Sequence, residues 1–318
     1  MKFEDTKITK IYRKKRLNLL LKAAILVYTK YRIQAMLKNI FFIFIFSISF
    51  ICNATNENNP IGARSSAMAN ASVSFTDLWS THHNQAGLGF VRTISGGVCY
   101  ENRFLIKELS IKGGAIALPI KGGTLGIAIT SFGYAQYNEN KYSLSFAKAF
   151  GENFSIGIAM DYLNTKIAEG YGSKGVLAAE VGIIAKPLKN LTIGAHVFNP
   201  TRTQIAIYNK ERIPTIFRLG ANYNFSENVM LAVETEKDIQ MKPVFKAGLE
   251  YKPVKEFYLR AGISTNPTLS SFGFGLNLKS FKIDFSANYH QVLGVSPQIS
   301  LIYTMDQKKS NTVVTPDF

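Results

Sequence analysis

From residue 91 to residue 305 the chain alternates apolar and polar positions with a period of two. In Phe281–Tyr289 the odd positions are Phe281, Ile283, Phe285, Ala287 and Tyr289, and the even ones are Lys282, Asp284, Ser286 and Asn288. In Phe217–Phe225 the odd positions are apolar or aromatic, while the even ones are Arg218, Gly220, Asn222 and Asn224. Phe245, Ala247, Leu249 and Tyr251 alternate with Lys246, Gly248 and Glu250 in the same way. This period belongs to strands with one apolar face, and no stretch carries a sustained helical stripe. The runs number fourteen: 91–101, 108–118, 123–132, 141–150, 153–165, 176–186, 190–198, 215–225, 229–237, 243–251, 256–264, 269–278, 281–289 and 296–305.

Linkers at 151–153, 189–190, 226–228 and 279–280 are short enough for tight hairpins, so neighbouring strands should be antiparallel. Longer connectors at 133–140, 166–175, 199–214 and 290–295 alternate with them. A soluble sandwich would also alternate. Three features favour a membrane barrel instead: runs near the ~9–11 residues that cross a bilayer at a tilt, aromatic residues at the ends of the apolar faces, and an opposite face rich in charges, Asn, Ser and Gly. The fold expected is all-β: a 14-stranded antiparallel transmembrane β-barrel (91–305) with a tail at 306–318.

Upstream, Met36–Asn39 is a short basic start, Ile40–Ile51 an apolar core, and Cys52-Asn53-Ala54 a small-residue cleavage site. Residues 36–54 therefore read as a secretory signal, and 1–35 as an upstream extension. This changes the meaning of the charge. The whole chain has 37 basic and 21 acidic residues. Residues 1–54 alone carry 11 basic and 2 acidic ones. Most of the case for a nucleic-acid partner disappears with the leader. The single cysteine after it, Cys99, leaves no internal disulfide, which suits an exported envelope protein stabilised by its strand ladder.

No chemistry of an enzyme stands out. His82-His83 point opposite ways on an extended segment and lack companion ligands, so no metal is expected. Gly170–Gly175 is glycine-rich but lacks phosphate-loop spacing. His196 and His290 have no serine elbow beside them. No cofactor is expected.

Residues 55–90 stand outside the strand array and are rich in small side chains. They contain Gly62-Ala63-Arg64, Met68, Ala71, Asp77, and Asn84 followed by Ala86-Gly87-Leu88. This pattern resembles the N-terminal segment of the FadL-like outer-membrane superfamily, a circle that includes the PorV/PorQ proteins of Bacteroidetes. Gln85 stands where that pattern has Pro, and Ala69-Asn70 where it has a glycine pair. The resemblance implies that Gly62, Ala63, Arg64, Met68, Asp77, Asn84, Ala86, Gly87 and Leu88 belong to a plug or hatch (55–90) inside the lumen. A fourteen-stranded barrel is wide enough to need one.

Charges on the non-apolar face, Arg218, Glu234, Glu236, Lys246, Glu250, Arg260 and Asp284, are expected to line the lumen and neutralise one another or the plug's Arg64 and Asp77. The run at 108–118 loses its alternation: Ile111 falls on one face, Ile116 and Leu118 on the other. By resemblance, Gly113, Gly114 and Pro119 could mark a kinked strand opening a lateral gap, or an ordinary bulge.

The resemblance implies a barrel in the outer membrane of a Gram-negative bacterium, in contact with outer-membrane lipid, passing or binding a small hydrophobic molecule. The alternative is an accessory component of a type IX secretion pathway that docks secreted proteins.

Overall fold

A computed structural model of the chain describes residues 32, 58, 60–168, 172–203 and 212–305. The expected signal (36–54), the expected tail (306–318), the extension 1–35 apart from Arg32, and the start of the glycine-rich loop lie outside the described residues.

Among the described residues fourteen strands close into one antiparallel barrel. They are β1 (Ser95–Asn102), β2 (Ser110–Ile120), β3 (Gly123–Gly133), β4 (Tyr137–Phe150), β5 (Phe154–Ile167), β6 (Gly172–Leu188), β7 (Leu191–Phe198), β8 (Ile216–Asn224), β9 (Val229–Asp238), β10 (Val244–Val254), β11 (Phe257–Ser264), β12 (Leu269–Leu278), β13 (Phe281–His290) and β14 (Gly294–Thr304). Each pairs with its neighbours in sequence, and β14 closes on β1 with Cys99 opposite Ser300. Closure leaves no unpaired strand edge, which a bilayer would not tolerate.

The alternation decides which face meets lipid. In β4 and β5, Tyr142, Leu144, Ile158 and Met160 are exposed on the outer wall, while Lys141, Ser143, Ser145 and Asp161 are buried inside. An apolar belt of this size around a closed barrel is the outer surface of a transmembrane barrel. Each large aliphatic side chain moved from water into hydrocarbon contributes roughly 1.5–3 kcal/mol. Aromatic pairs mark both rims: Tyr142 with Tyr162 at ring-centroid separation 6.3 Å, and Phe150 with Phe154 at 6.1 Å. Amphipathic and bulky rings favour these interfacial heights.

One end of the barrel carries turns of two to four residues, and the other carries all the longer loops, including the connection 199–215. Gly151, at φ 70°, allows the tight reversal between Phe150 and Phe154. At the loop end β4 and β6 begin earlier than their patterns suggest, at Tyr137 and Gly172. Residues 137–140 and 172–175 lie beyond the apolar belt, so pairing there proceeds without alternation. Residues 91–94 are outside β1; a 3-10 turn, Gln85–Phe90, leads into them.

Around Gly113, Gly114 and Pro119, read as a kink or an ordinary bulge, the strand pairing shows no register shift. The ladder runs unbroken from Ile111↔Phe132 to Ile120↔Gly123, and Gly113 pairs with Cys99. Alternation fails here for another reason: Ile111 points into the lumen, buried beside an inner apolar cluster, while Ile116 faces outward. Pro119 lies past the last residue of β2 paired with β1, Ala117, and so breaks no bond of that ladder. The register shifts that do occur fall between Ala185 and Leu188 and between Tyr251 and Val254, at Pro187 and Pro253, both at the turn end. Proline cannot donate to the ladder, and a bulge absorbs the loss.

Residues 60–90 are enclosed by the barrel, while Arg92 and Ile94 are exposed. The enclosed residues hold two short helices, α1 (Ala63–Ala67) and α2 (Ser80–His83), joined by turns. Ile61, Met68, Trp79 and Leu88 are fully buried.

Candidate functional site

The lumen is defined by how this segment meets the wall. Where its backbone passes closest, the inward wall positions are glycine. A Cβ on Gly248 or Gly262 would collide with Met68, on Gly194 with the Val73 carbonyl, and on Gly157 with Ala86. These glycines occupy the even or odd inward positions of their strands, so the contact ring was present in the sequence as part of the polar face.

Charge fixes the segment on one side. Arg64 donates Nε and Nη2 to the two carboxylate oxygens of Glu250 at 2.9 and 3.0 Å, and Nη1 to Asp77 Oδ2 at 2.9 Å. Its guanidinium also lies 4.4 Å from the Phe75 ring centroid. Glu250 accepts a further bond from Arg260 Nε at 2.7 Å, and Arg260 Nη1 reaches Asp284 Oδ1 at 2.7 Å. Beside this chain, Glu234 Oε2 accepts the backbone N–H groups of Ser72 and Val73, both at 2.8 Å. Lys246 bridges Glu234 and Glu236, and Arg218 pairs with Glu236 at 2.8 Å. All seven luminal charges named from the sequence thus lie on the inner wall, and the structure joins them in two networks tied to the segment. Charges so enclosed need such partners.

The remaining motif residues are structural contacts of the segment. Gly62 has φ 92° and faces the Trp79 ring. Ala63 donates its N–H to Ser300 Oγ at 3.1 Å. Asn84 Nδ2 donates to Val73 O at 2.7 Å and to the wall carbonyls Ile183 O and Ala195 O at 3.2 and 3.3 Å. Gly87 closes on Phe75 and Ser80, and Leu88 packs with Ile61, Leu78 and Trp79.

A buried polar cluster that sequence reading did not assemble adjoins these networks, with His196 on β7 opposite Arg218 on β8. Lys141 pairs with Glu180 and, at 3.3 Å, with Asp161. His196 Nε2 lies 2.8 Å from Glu180 Oε2, and Gln85 Nε2 donates to the same oxygen. Gln85, the departure from the Pro of the motif, is therefore a tether to the wall. The residues come from β4, β5, β6 and β7, one each; only register brings them together. Among the described residues no group of His, Cys, Asp and Glu has the arrangement of a metal site.

His82 and His83 are both buried within the segment. Burial drives their pKa values down, with Lys141 adding to the effect at His82 and Arg218 at His83. His83 falls to about 4 and is neutral near pH 7, so its Nε2–H can donate to Ile61 O at 2.8 Å.

At the loop end the inner wall turns apolar. Leu163, Ala178, Phe198, Ile213 and Ile216 form one buried cluster with Val176 against it. Phe198 and Leu163 also line a small gap of about 20 Å³ with Ile111, Phe132, His82 and Lys141. That gap is about the size of a water molecule. At the turn end the lumen opens instead into a polar cavity of about 400 Å³ between the segment and strands β6 to β11.

These features define a class: a closed fourteen-stranded transmembrane barrel whose lumen holds its own N-terminal segment. The fold is FadL-like. The chain is similar to a Pseudomonas aeruginosa FadL homologue at 11% identity, covering 80% of this chain and 100% of that one, with TM-score 0.60. It is similar to the Ralstonia pickettii toluene transporter TbuX at 12% identity, covering 78% and 98%, with TM-score 0.60. The Pseudomonas putida toluene transporter TodX matches at 12% identity, 79% and 100% coverage, and TM-score 0.60. No protein-family model matches the chain, and no curated protein does.

Proposed function

We propose that this chain is an outer-membrane barrel that passes a small hydrophobic molecule, with the segment 55–90 as the plug that closes the lumen. The observation that carries this reading is the apolar inner wall at the loop end, around Phe198, Leu163 and Ile216. A water-filled pore has a polar lining, and an apolar luminal surface favours an apolar occupant. The neighbours of like fold include transporters of toluene, which supports the same cargo class. Short turns at one end and long loops at the other set the loop end outward and the turn end toward the periplasm. The basic start, apolar core and small-residue site at 36–54 support export by a cleavable signal. The docking alternative draws no support from these neighbours.

In the closed state the gap beneath Phe198 admits only about 20 Å³, so passage requires the segment or the loop-end side chains to shift. Native mass spectrometry of the detergent-purified chain, isolated from membranes, tests the reading. A retained apolar ligand, lost in Phe198→Asp, is the expected result. A chain that never retains one, while carrying a stoichiometric protein partner, would replace passage with docking.

A further inference from the structure

The polar cavity at the turn end has properties that passage of an apolar molecule does not need. Its volume of about 400 Å³ falls in the range of small-molecule sites. Its walls are polar, and Lys186, Lys189 and Lys252 all line it. Among the described residues none of the three forms an ion pair. Two of them stand at the register shifts of the barrel, each followed directly by proline: Lys186-Pro187 and Lys252-Pro253. A bulge re-aims the side chains beside it, and here both bulges lie next to a cavity lysine. Lys186 is further held over the Phe90 ring, 3.6 Å from its centroid.

We propose that this cavity binds a phosphate-bearing anion. Among the described residues the one arginine on its wall, Arg64, is saturated by Glu250 and Asp77, so lysines are left to meet an anion there, as point charges of the kind that bind phosphate. Three lysine point charges with amide and hydroxyl donors around them suit a compact phosphate oxyanion. Glu227 lines the cavity as the opposing charge, and Glu250 is neutralised by its two arginines. The phosphate can belong to a soluble ester or to a lipid headgroup of the membrane leaflet beside the turn end. The proposal concerns the opposite end of the lumen from the apolar wall and stands whether or not hydrophobic passage does.

Inorganic pyrophosphate titrated calorimetrically into the full chain in a neutral detergent is the test. The expected result is saturable binding that weakens at least about tenfold in the doubly substituted K189E/K252E and falls as salt rises. Lys166→Glu, at the loop end, leaves it unchanged. Folding is verified by heat-modifiable gel mobility, and Lys189→Ala alone, expected to weaken binding severalfold, serves if the double variant misfolds. In nanodiscs, competition of pyrophosphate by phosphatidylglycerol assigns the site to headgroups, while undiminished binding assigns it to soluble esters. Absence of binding in wild type, or equal binding in wild type and the lysine variants, overturns the proposal.

Discussion

Arg64 in the luminal segment and Glu250 on strand β10 meet through two parallel N–H···O bonds of 2.9 and 3.0 Å. The pair is the hinge point of a charge chain running from Asp77 through Arg64, Glu250 and Arg260 to Asp284. It ties the segment to the wall where both partners are largely screened from solvent, so its geometry matters more than that of a surface ion pair.

Removing the arginine should free the segment. Arg64→Ala leaves the Asp77 and Glu250 carboxylates without their shared cation, a change costing about 3 kcal/mol when such a pair is enclosed. The barrel should survive, since its ladder is untouched. Limited proteolysis is expected to cut within 60–94 at lower protease concentration than in wild type. Glu250→Gln, whose amide oxygen can still accept from Arg64 Nε and Arg260 Nε while its NH2 cannot accept from Arg64 Nη2, should show a smaller effect. Equal protection in all three would mean the segment is held by packing alone.

The glycine ring predicts a steric counterpart. Gly248→Val places side-chain atoms where Met68 lies, with backbone rather than a flexible tip in the way. The segment must retreat, because strand β10 is fixed on both sides. Planar-bilayer recordings should then show larger or more frequent ion conductance than wild type. Gly96→Ala on β1, where an added Cβ meets no atom closer than 3.8 Å, should leave conductance unchanged.

Acid should loosen the same segment. His82 and His83 are held neutral by burial, and the folded value for His83 is about 4 against 6.5 unfolded. Between those values the unfolded segment binds more protons, so stability falls as pH drops from about 6.5 toward 4. Hydrogen-exchange protection of residues 61–90, corrected for the intrinsic slowing of exchange in acid, should fall across that window. In H82Q/H83Q the pH dependence should flatten; an unchanged slope would place the titration elsewhere.

The barrel was legible because lipid enforces alternation: all fourteen runs from 91 to 305 became strands, with ends shifted where chain left the bilayer, as at Tyr137 and Gly172. Inward charges such as Arg218 and Glu234 were legible for the same reason. Their pairing was not, because partners lie on neighbouring strands and register sets which side chains meet. Lys141, Asp161, Glu180 and His196 show this most clearly, each an unremarkable polar position until four strands are laid side by side. The loss of alternation at Ile111 was visible, but a lumen-facing apolar residue and a kinked strand leave the same trace in sequence. The structure adds that Ile111 is buried on the inner side and that β2 pairs with β1 and β3 without a register shift.

The central claim is that the apolar inner wall at the loop end admits a hydrophobic molecule. Phe198→Asp tests it most directly, because Phe198 is fully buried in that wall, with the Lys141 ammonium 5.0 Å from its ring centroid. The measurement is the rate at which the apolar fluorophore N-phenylnaphthylamine crosses the lipopolysaccharide barrier of intact cells producing the chain. Wild type should exceed an empty-vector strain severalfold, and Phe198→Asp, present in the membrane at equal amount, should fall to the empty-vector rate. Equal rates for wild type and Phe198→Asp, or no gain over the empty vector, would contradict the account.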